Sequence, residues 1–414
     1  MRAALLAAAL LAACSKPNPY YCAGAPMDNC TLLDSGSGSA GCTSDTQCPG
    51  QVCDIAMHAC VMCTPDKAAA CTATTPVCTN DACAPCTDDA QCASGVCRFD
   101  GSCDDESRVL YVGPTATGTT CARTDKCSLA TSMMLLSVTK NVVHLDAGTY
   151  TDMILVTKDS ALVGRGAVLS PANGAIVTIS PGKSVALELL TLRLTSGSGN
   201  AIFLGTSAGI TLLGTEVGGT QGIGISAPNG GSVTTSRSSI HDNLLGGISL
   251  GNTTTTSKID MTNTLVYLNG GPAMSQNIGG IAIAGALAPG SRIDFDTIVD
   301  NGANNLASAH SGGIVCDIAS FSITNSIIAH NTVGGSTTAS NANTFGMCGV
   351  TTGDIVQPAL DTLLFRDAGN RDYHLTTGSS AEGHATATSI TIDIDGDHRP
   401  QGTGYDTGAD ELTP

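Results

Sequence analysis

"FSITNSIIAHN", residues 321 to 331, decides how this 414-residue chain is read. Polar and aliphatic residues alternate along it, and it stops on an asparagine. Three further segments can be laid over it: "VTTSRSSIHDN" (233 to 243), "IDMTNTLVYLN" (259 to 269) and "IDFDTIVDN" (293 to 301). Their closing residues, Asn243, Asn269, Asn301 and Asn331, are 26, 32 and 30 apart, and Gly-Gly-Ile follows three of them at Gly246, Gly279 and Gly312. Repeats of this length mean stacked units, each unable to bury its own apolar face.

The unit is short strands and turns, because Val, Ile, Leu, Thr, Ser and Gly alternate from residue 108 without a sustained 3.6-residue period. The isoleucines of "SITNSII" are expected to point inward and to sit over their counterparts at a spacing of about 4.8 Å. Asn suits the bends because it tolerates left-handed geometry, and stacked Asn side chains hydrogen-bond along the axis. Gly-Gly permits bends that a Cβ would obstruct. Weaker cousins run upstream as "ALVGRG" at 161, "VALELLTLRL" at 185 and "ITLLGTEV" at 210, for at least seven coils. A β-sandwich would place strands every 8 to 12 residues with hairpins between them, a pattern this sequence lacks. "NVVHLDAGTYTDMILV" (141 to 156) resembles the opening coils of right-handed parallel β-helix proteins, the pectate-lyase-like superfamily. "SLATSMMLLSV" (128 to 138) reads as a short helix capping the open N-terminal edge.

"DTLLFRDAGNRDYHLTTGSSAEG" (361 to 383) and "DIDGDHRPQGTGYDTGADE" (393 to 411) resemble the C-terminal portion of the choice-of-anchor Q domain family, whose β-helix ends on such a Gly/Asp tail. "GSSAEGHA" departs from the Gly-Ser-Pro-Ala-Ile-Asp form of that family. Asp393, Asp395 and Asp397, at alternate positions, are candidate oxygen ligands for calcium. An EF-hand is excluded, since neither its sixth-position Gly nor its twelfth-position Glu falls in place. The competing role for these carboxylates is to cap backbone amides beside Arg399.

At the other end, Met1-Arg2 precedes the apolar run Ala3 to Ala13, which has signal-peptide length and is too short to span a bilayer as a helix. Leu11-Ala12-Ala13-Cys14 resembles the lipobox of bacterial lipoproteins, which implies cleavage before a diacylglyceryl Cys14 and lasting membrane attachment. Ser15 is similar to the sorting residue for the outer membrane. With Cys14 set aside, eighteen of the nineteen cysteines remain, an even number. Twelve form three successive groups of four: Cys42, Cys48, Cys53, Cys60; Cys63, Cys71, Cys78, Cys83; Cys86, Cys92, Cys97, Cys103. Such small modules need cross-links in place of a core. Cys22 with Cys30, Cys121 with Cys127, and Cys316 with Cys348 are the natural remaining pairs, while three connectivities stay open within each module. Cys60-x-x-Cys63 and Cys83-x-x-Cys86 have zinc-like spacing, but they straddle module boundaries in a chain read as exported.

Residues 20 to 106 carry twelve Asp/Glu against two Lys/Arg, a local charge of −10 out of −17 overall, which excludes nucleic acid as a partner. Catalysis has one candidate set. "KIDM" (258 to 261) and "RIDF" (292 to 295), aligned between neighbouring coils, would put Asp260 and Asp294 about 4.8 Å apart, with Asp296 on the same outward face. Crowded carboxylates raise one another's pKa, as an acid/base pair of a glycosidase requires. Against this, Lys258 and Arg292 can neutralise a charge ladder, and a chain with no Trp, seven Tyr and six Phe is poor in sugar-stacking platforms. His241, His310 and His330 fall in or near turns of the repeat.

The expected organisation is a signal peptide (1–13), a lipidated linker (14–41), a cysteine-rich stalk (42–106), and a parallel β-helix (107–414) with its tail from about 354. The expected function is non-catalytic binding or adhesion, or a structural role, by a monomer held at the outer membrane or cell surface by lipid. Its ligand would be an extracellular polysaccharide or a surface protein. The alternative is a polysaccharide lyase or glycoside hydrolase. No cofactor is expected beyond calcium.

Overall fold

A computed structural model describes residues 41–194, 196–271, 278–304 and 311–413. Cys14, Cys22, Cys30 and His310 lie outside the described residues, as does the signal peptide. The chain divides into two compact units, one holding residues 41–72 and 77–84, the other residues 73–76 and everything from Pro85.

The first unit is two disulfide modules. Cys42 bonds Cys53 and Cys48 bonds Cys60 in one, Cys63 bonds Cys78 and Cys71 bonds Cys83 in the other. First thiol pairs with third and second with fourth, around short antiparallel hairpins such as Val52–Asp54 with Ala59–Val61. The third module repeats this connectivity, Cys86 with Cys97 and Cys92 with Cys103, but belongs to the second unit. Instead of standing in a stalk, it packs on the outer face of the first coils. Val96 is buried with Val109, Tyr111, Val142 and Val163. Arg98 forks onto Glu188, itself 2% exposed, which also accepts the Phe99 N–H at 3.1 Å.

The second unit is the expected right-handed parallel β-helix: a 24-stranded sheet whose pairings are all between successive coils. Its strands fall into three columns. One runs from Ile154–Val156 through Val177–Ile179, Ile202–Leu204 and Gly246–Leu250 to Ile281–Ile283. A second runs from Val109–Val112 through Val142–Leu145, Ser184–Arg193 and Thr256–Thr262 to Arg292–Asp294. The third carries Glu216–Gly218, Ser239–His241, Leu265–Tyr267, Thr297–Val299 and Ile327–Ala329. Period-2 alternation directs one side chain per step inward, so Val217, Ile240, Val266, Ile298 and Ile328 stack in one core. Ile323 joins them. Ile327, expected to face inward, points out and is buried instead under the tail with Tyr267, Val299 and Tyr373. A helix, Leu129–Leu135, starts at Ser128, whose hydroxyl accepts the Thr131 N–H, and Leu129 and Leu136 join the core.

Asparagines form a continuous ladder inside the turns. Asn243 Nδ2 donates to Asn269 Oδ1, Asn269 to Asn301, Asn301 to Asn331 and Asn331 to Asn343, at 2.9 to 3.0 Å. The left-handed residue is the one before each: Asp242, Leu268, Asp300 and His330 have φ of 52 to 57°. Asn is therefore selected for the ladder and not for left-handed backbone. The glycines answer to the same ladder. A Cβ on Gly280 would lie 2.7 Å from the Gly313 carbonyl and 3.1 Å from Asn301 Nδ2, with the same conflict at Gly247 and Gly313.

The tail folds back along the side of the coils. It crosses a second column of left-handed turns. Arg237 donates to the carbonyls of Ile394 and Asp395, Asn263 Nδ2 to that of Ile392, and Asn325 Oδ1 accepts the Thr386 N–H. Arg399 is buried over the Phe295 ring at 4.4 Å, pairing with Glu411 at 3.0 Å. Cys316–Cys348 ties the last two coils.

Candidate functional site

The expected carboxylate set does not assemble. Asp260 lies opposite Arg292, and Asp294 opposite Thr262, so the alignment of "KIDM" with "RIDF" is two residues out of register. The Asn ladder fixes this, because Asn269 and Asn301 must meet and each lies nine residues beyond Asp260 and Arg292. Arg292 Nε donates to Asp260 at 2.7 Å. Asp294 is 6% exposed and accepts from Asn325 Nδ2. Asp296 is fully buried and accepts the N–H of Thr264 at 2.7 Å and of Asp294 at 3.1 Å.

Asp296 belongs to a second ladder, Thr215, Ser238, Thr264, Asp296, Ser326 and Asp354. Four of its links take an N–H from the coil before: Thr215 N to Ser238, Thr264 N to Asp296, Asp296 N to Ser326, and Ser326 N to Asp354. Burial pushes its carboxyl well above the usual range. A group sealed in this way cannot touch a polysaccharide.

The calcium candidates also separate. Asp393 is buried, its Oδ1 accepting the N–H groups of Asp395, Gly396 and Asp397 and its Oδ2 that of Glu411. Asp397 is exposed. Asp395 turns to His374, 3.0 Å away. His241 sits between Asp242 at 2.7 Å and Glu216 at 3.1 Å, stacked on Tyr267. His330 holds Asp300, which also accepts from Tyr373.

What the fold does build is a cleft of about 260 Å³ where the third disulfide module meets the first coils, lined by Asp89, Tyr111, Arg123, Lys126, His144 and Asp146. Tyr111 and His144 are register partners on adjacent coils, facing outward. Asp89 opens a short 3-10 helix, Asp89–Gln91, capped by Asp88. Its Oδ1 accepts the Cys97 N–H at 2.9 Å and its Oδ2 meets His144 Nε2 at 3.0 Å. Burial pushes the Asp89 carboxyl up, but the hydrogen bonds from His144 and Cys97 outweigh it and hold it below its ordinary value. The disulfide Cys121–Cys127 closes the loop that carries Arg123 and Lys126. Lys126 pairs with Asp146 at 2.6 Å, and Arg123 rests on the Ala93 carbonyl. A Cβ on Gly95 would lie 2.9 Å from that guanidinium.

His144 is 7% exposed, and its Nδ1 has no hydrogen-bond partner among the described residues, with Asp146 Oδ1 at 4.0 Å. With Nε2 bonded to Asp89, Nδ1 is the ring atom left over, turned towards Asp146. Two cations face two carboxylates across the cleft, so its charge nearly cancels. None of these groups was singled out in the sequence, where Asp89 and His144 stand 55 residues apart.

No protein-family model and no curated protein matches the chain. Among solved structures, one described as "Crystal structure of pectate lyase Pel9A" is similar at 13% identity, covering 74% of this chain and 96% of that one with a TM-score of 0.42. At that distance it carries no argument. The β-helix assignment rests on the strand register above, and the class this defines is a parallel β-helix protein with a disulfide-rich N-terminal segment.

Proposed function

We propose that the protein is an exported lipoprotein, anchored through Cys14, that binds neutral glycans without turning them over. The choice-of-anchor Q resemblance of the tail belongs to the same reading. The observation that carries the binding role is the cleft of about 260 Å³ itself, whose two cations, Arg123 and Lys126, balance two carboxylates, Asp89 and Asp146. Hydroxyl groups of a sugar can donate to Asp146 while accepting from Lys126 and Arg123. A polyuronate is disfavoured there, because no net positive charge compensates it and the chain as a whole carries −17.

The experiment is a neutral and acidic glycan panel screened by calorimetry, with absorbance near 235 nm and reducing ends followed in parallel. Binding of a neutral glycan, abolished in Arg123→Ala and Lys126→Ala and without product, is expected. Release of product would replace this reading with that of a lyase or glycosidase. Silence towards every glycan would end the glycan assignment. The anchor is tested separately by mass spectrometry of membrane-extracted protein, where a diacylglyceryl Cys14 is expected and an unmodified thiol would overturn it.

A further inference from the structure

We infer that His374, Asp395 and Asp410 form a binding site for a divalent transition-metal ion that cross-links the tail. One ligand atom from each, an imidazole nitrogen and two carboxylate oxygens, lies within 4.8 Å of the others. The site is remote in sequence from the glycan cleft and independent of it.

The local backbone delivers these groups. His374 lies on the strand Asp372–Leu375, paired antiparallel to Phe365–Asp367. Asp393 gathers the other two ligands' segments, since it binds the N–H groups on either side of the turn at Asp395 and also that of Glu411. Asp410 is then held against the His374 strand by the Leu375 N–H, at 2.6 Å. Three segments of the tail thus converge on one point through bonds that do not use the ligand atoms of His374 and Asp395.

Two observations mark a cation site and not an acidic turn. His374 Nδ1 is bonded to Asp372, which fixes the ring and aims Nε2 at Asp395 and Asp410, the carboxylate–imidazole arrangement that orients a metal-bound histidine. Asp410 is 8% exposed and makes no ion pair within 4.0 Å among the described residues; the cationic group facing it is His374 itself, so the buried carboxylate and the ring are directed at one point. Bonds of roughly 2.0–2.2 Å to a central ion bring such atoms about 3–4 Å apart, within reach of small side-chain rotations. An imidazole with two carboxylates suits zinc or its neighbours. Calcium prefers six to eight oxygens and is poorly matched by this set.

The test uses the untagged, oxidised full chain. Titration with Zn²⁺ should show one ion bound per chain and a raised Tm. Co²⁺ should give visible d–d bands, with X-ray absorption reporting nitrogen and oxygen ligands only. His374→Gln and Asp410→Asn should weaken binding at least 100-fold. Asp372→Asn should weaken it 10- to 100-fold with stoichiometry kept, and exposed Asp397→Asn should leave it unchanged. Absence of zinc binding to the wild type, sulfur ligands in the absorption spectrum, or affinity unchanged in His374→Gln would each overturn the site. So would calcium heat with zinc silence. If a variant fails to fold, the wild-type cobalt and absorption spectra still decide.

Discussion

Replacing Asn301 by Ala removes one link of the asparagine ladder, and the structure sets the cost. Asn301 is wholly buried. Its Oδ1 accepts both the backbone N–H and the side-chain amide of Asn269 at 2.9 Å, and its Nδ2 donates to Asn331 Oδ1 and to the carbonyl of Val266. After truncation Asn269 Nδ2 keeps the Ile240 carbonyl, and Asn331 Oδ1 keeps the Asn301 N–H. The Asn269 N–H keeps nothing. One stranded buried donor costs about 1–3 kcal/mol and three further lost bonds about 1 kcal/mol each, for a total of about 4–6 kcal/mol. In a stacked fold the loss is felt first by neighbouring coils, so amide hydrogen exchange is the primary assay and urea unfolding the second. Protection of the Asn269 amide should collapse, with the coils around 243 and 331 loosening next. A loss below about 1 kcal/mol with Asn269 still protected would refute the claim that the ladder holds the turns together.

Gly280→Ala should cost about 2 kcal/mol or more, by the usual price of overpacking, whereas Gly369→Ala, whose Cβ meets only the Asp367 carboxylate at 3.6 Å, should be close to neutral. Equal midpoints in urea would contradict this. Glu188→Ala strands the Phe99 N–H and leaves Arg98 with Asp104 alone, so about 3 kcal/mol of docking should be lost and residues 86–103 should become open to limited proteolysis; resistance equal to wild type would refute it. For His241, burial pulls the imidazole down but its bonds to Asp242 and Glu216 win, and its pKa is raised. A raised folded value gives stability that is full below about pH 6.5 and is lost as pH rises through the folded value. Glu216 is lowered, by its His241 bond first, so its share is lost as pH falls below about 4.5. Arg371 on Asp242 and Arg193 near Glu216 are the other charges facing the cluster. The Tm gap between wild type and His241→Gln should therefore be widest between about pH 4.5 and 6.5 and narrow at higher pH; a gap constant from pH 5 to 9 would contradict it.

The coil period was legible because each turn repeats an asparagine that hydrogen-bonds its counterpart in the adjacent coil. The same spacing held the strand register. Counting back nine residues from Asn269 and Asn301 pairs Asp260 with Arg292, whereas matching the two "ID" dipeptides slips the strand by two and keeps its facing while misplacing its partner. Applied to Thr264, the same 32-residue step lands on Asp296, which marks that carboxylate as a ladder member. What no period could reveal was the covering of the outer faces. The sequence carried only an indirect sign of it, in strands apolar at consecutive positions: "VLYV" at 109 to 112 lies under the third disulfide module, and "II" at 327 to 328 lies half under the tail. A strand that alternates needs one partner layer; one that is apolar on both faces needs two.

This double covering also decides where function can reside. Along the second column, the outward positions after Tyr111 and His144 are Val163 and Glu188, and the third module closes over all four. Along the third, Tyr267, Val299 and Ile327 are closed over by the tail. Polar side chains inside the coils are spent on backbone amides of the adjacent coil, which is why the acidic residues most suggestive of catalysis are the ones least able to meet a substrate. Chemistry must then come from the seams, where a covering segment brings side chains of distant sequence against the coils. His144 beside Asp89 arises in that way. His374 beside Asp395 and Asp410 arises within a covering segment itself, and both sites therefore exist only once the coils have formed and their covers have docked.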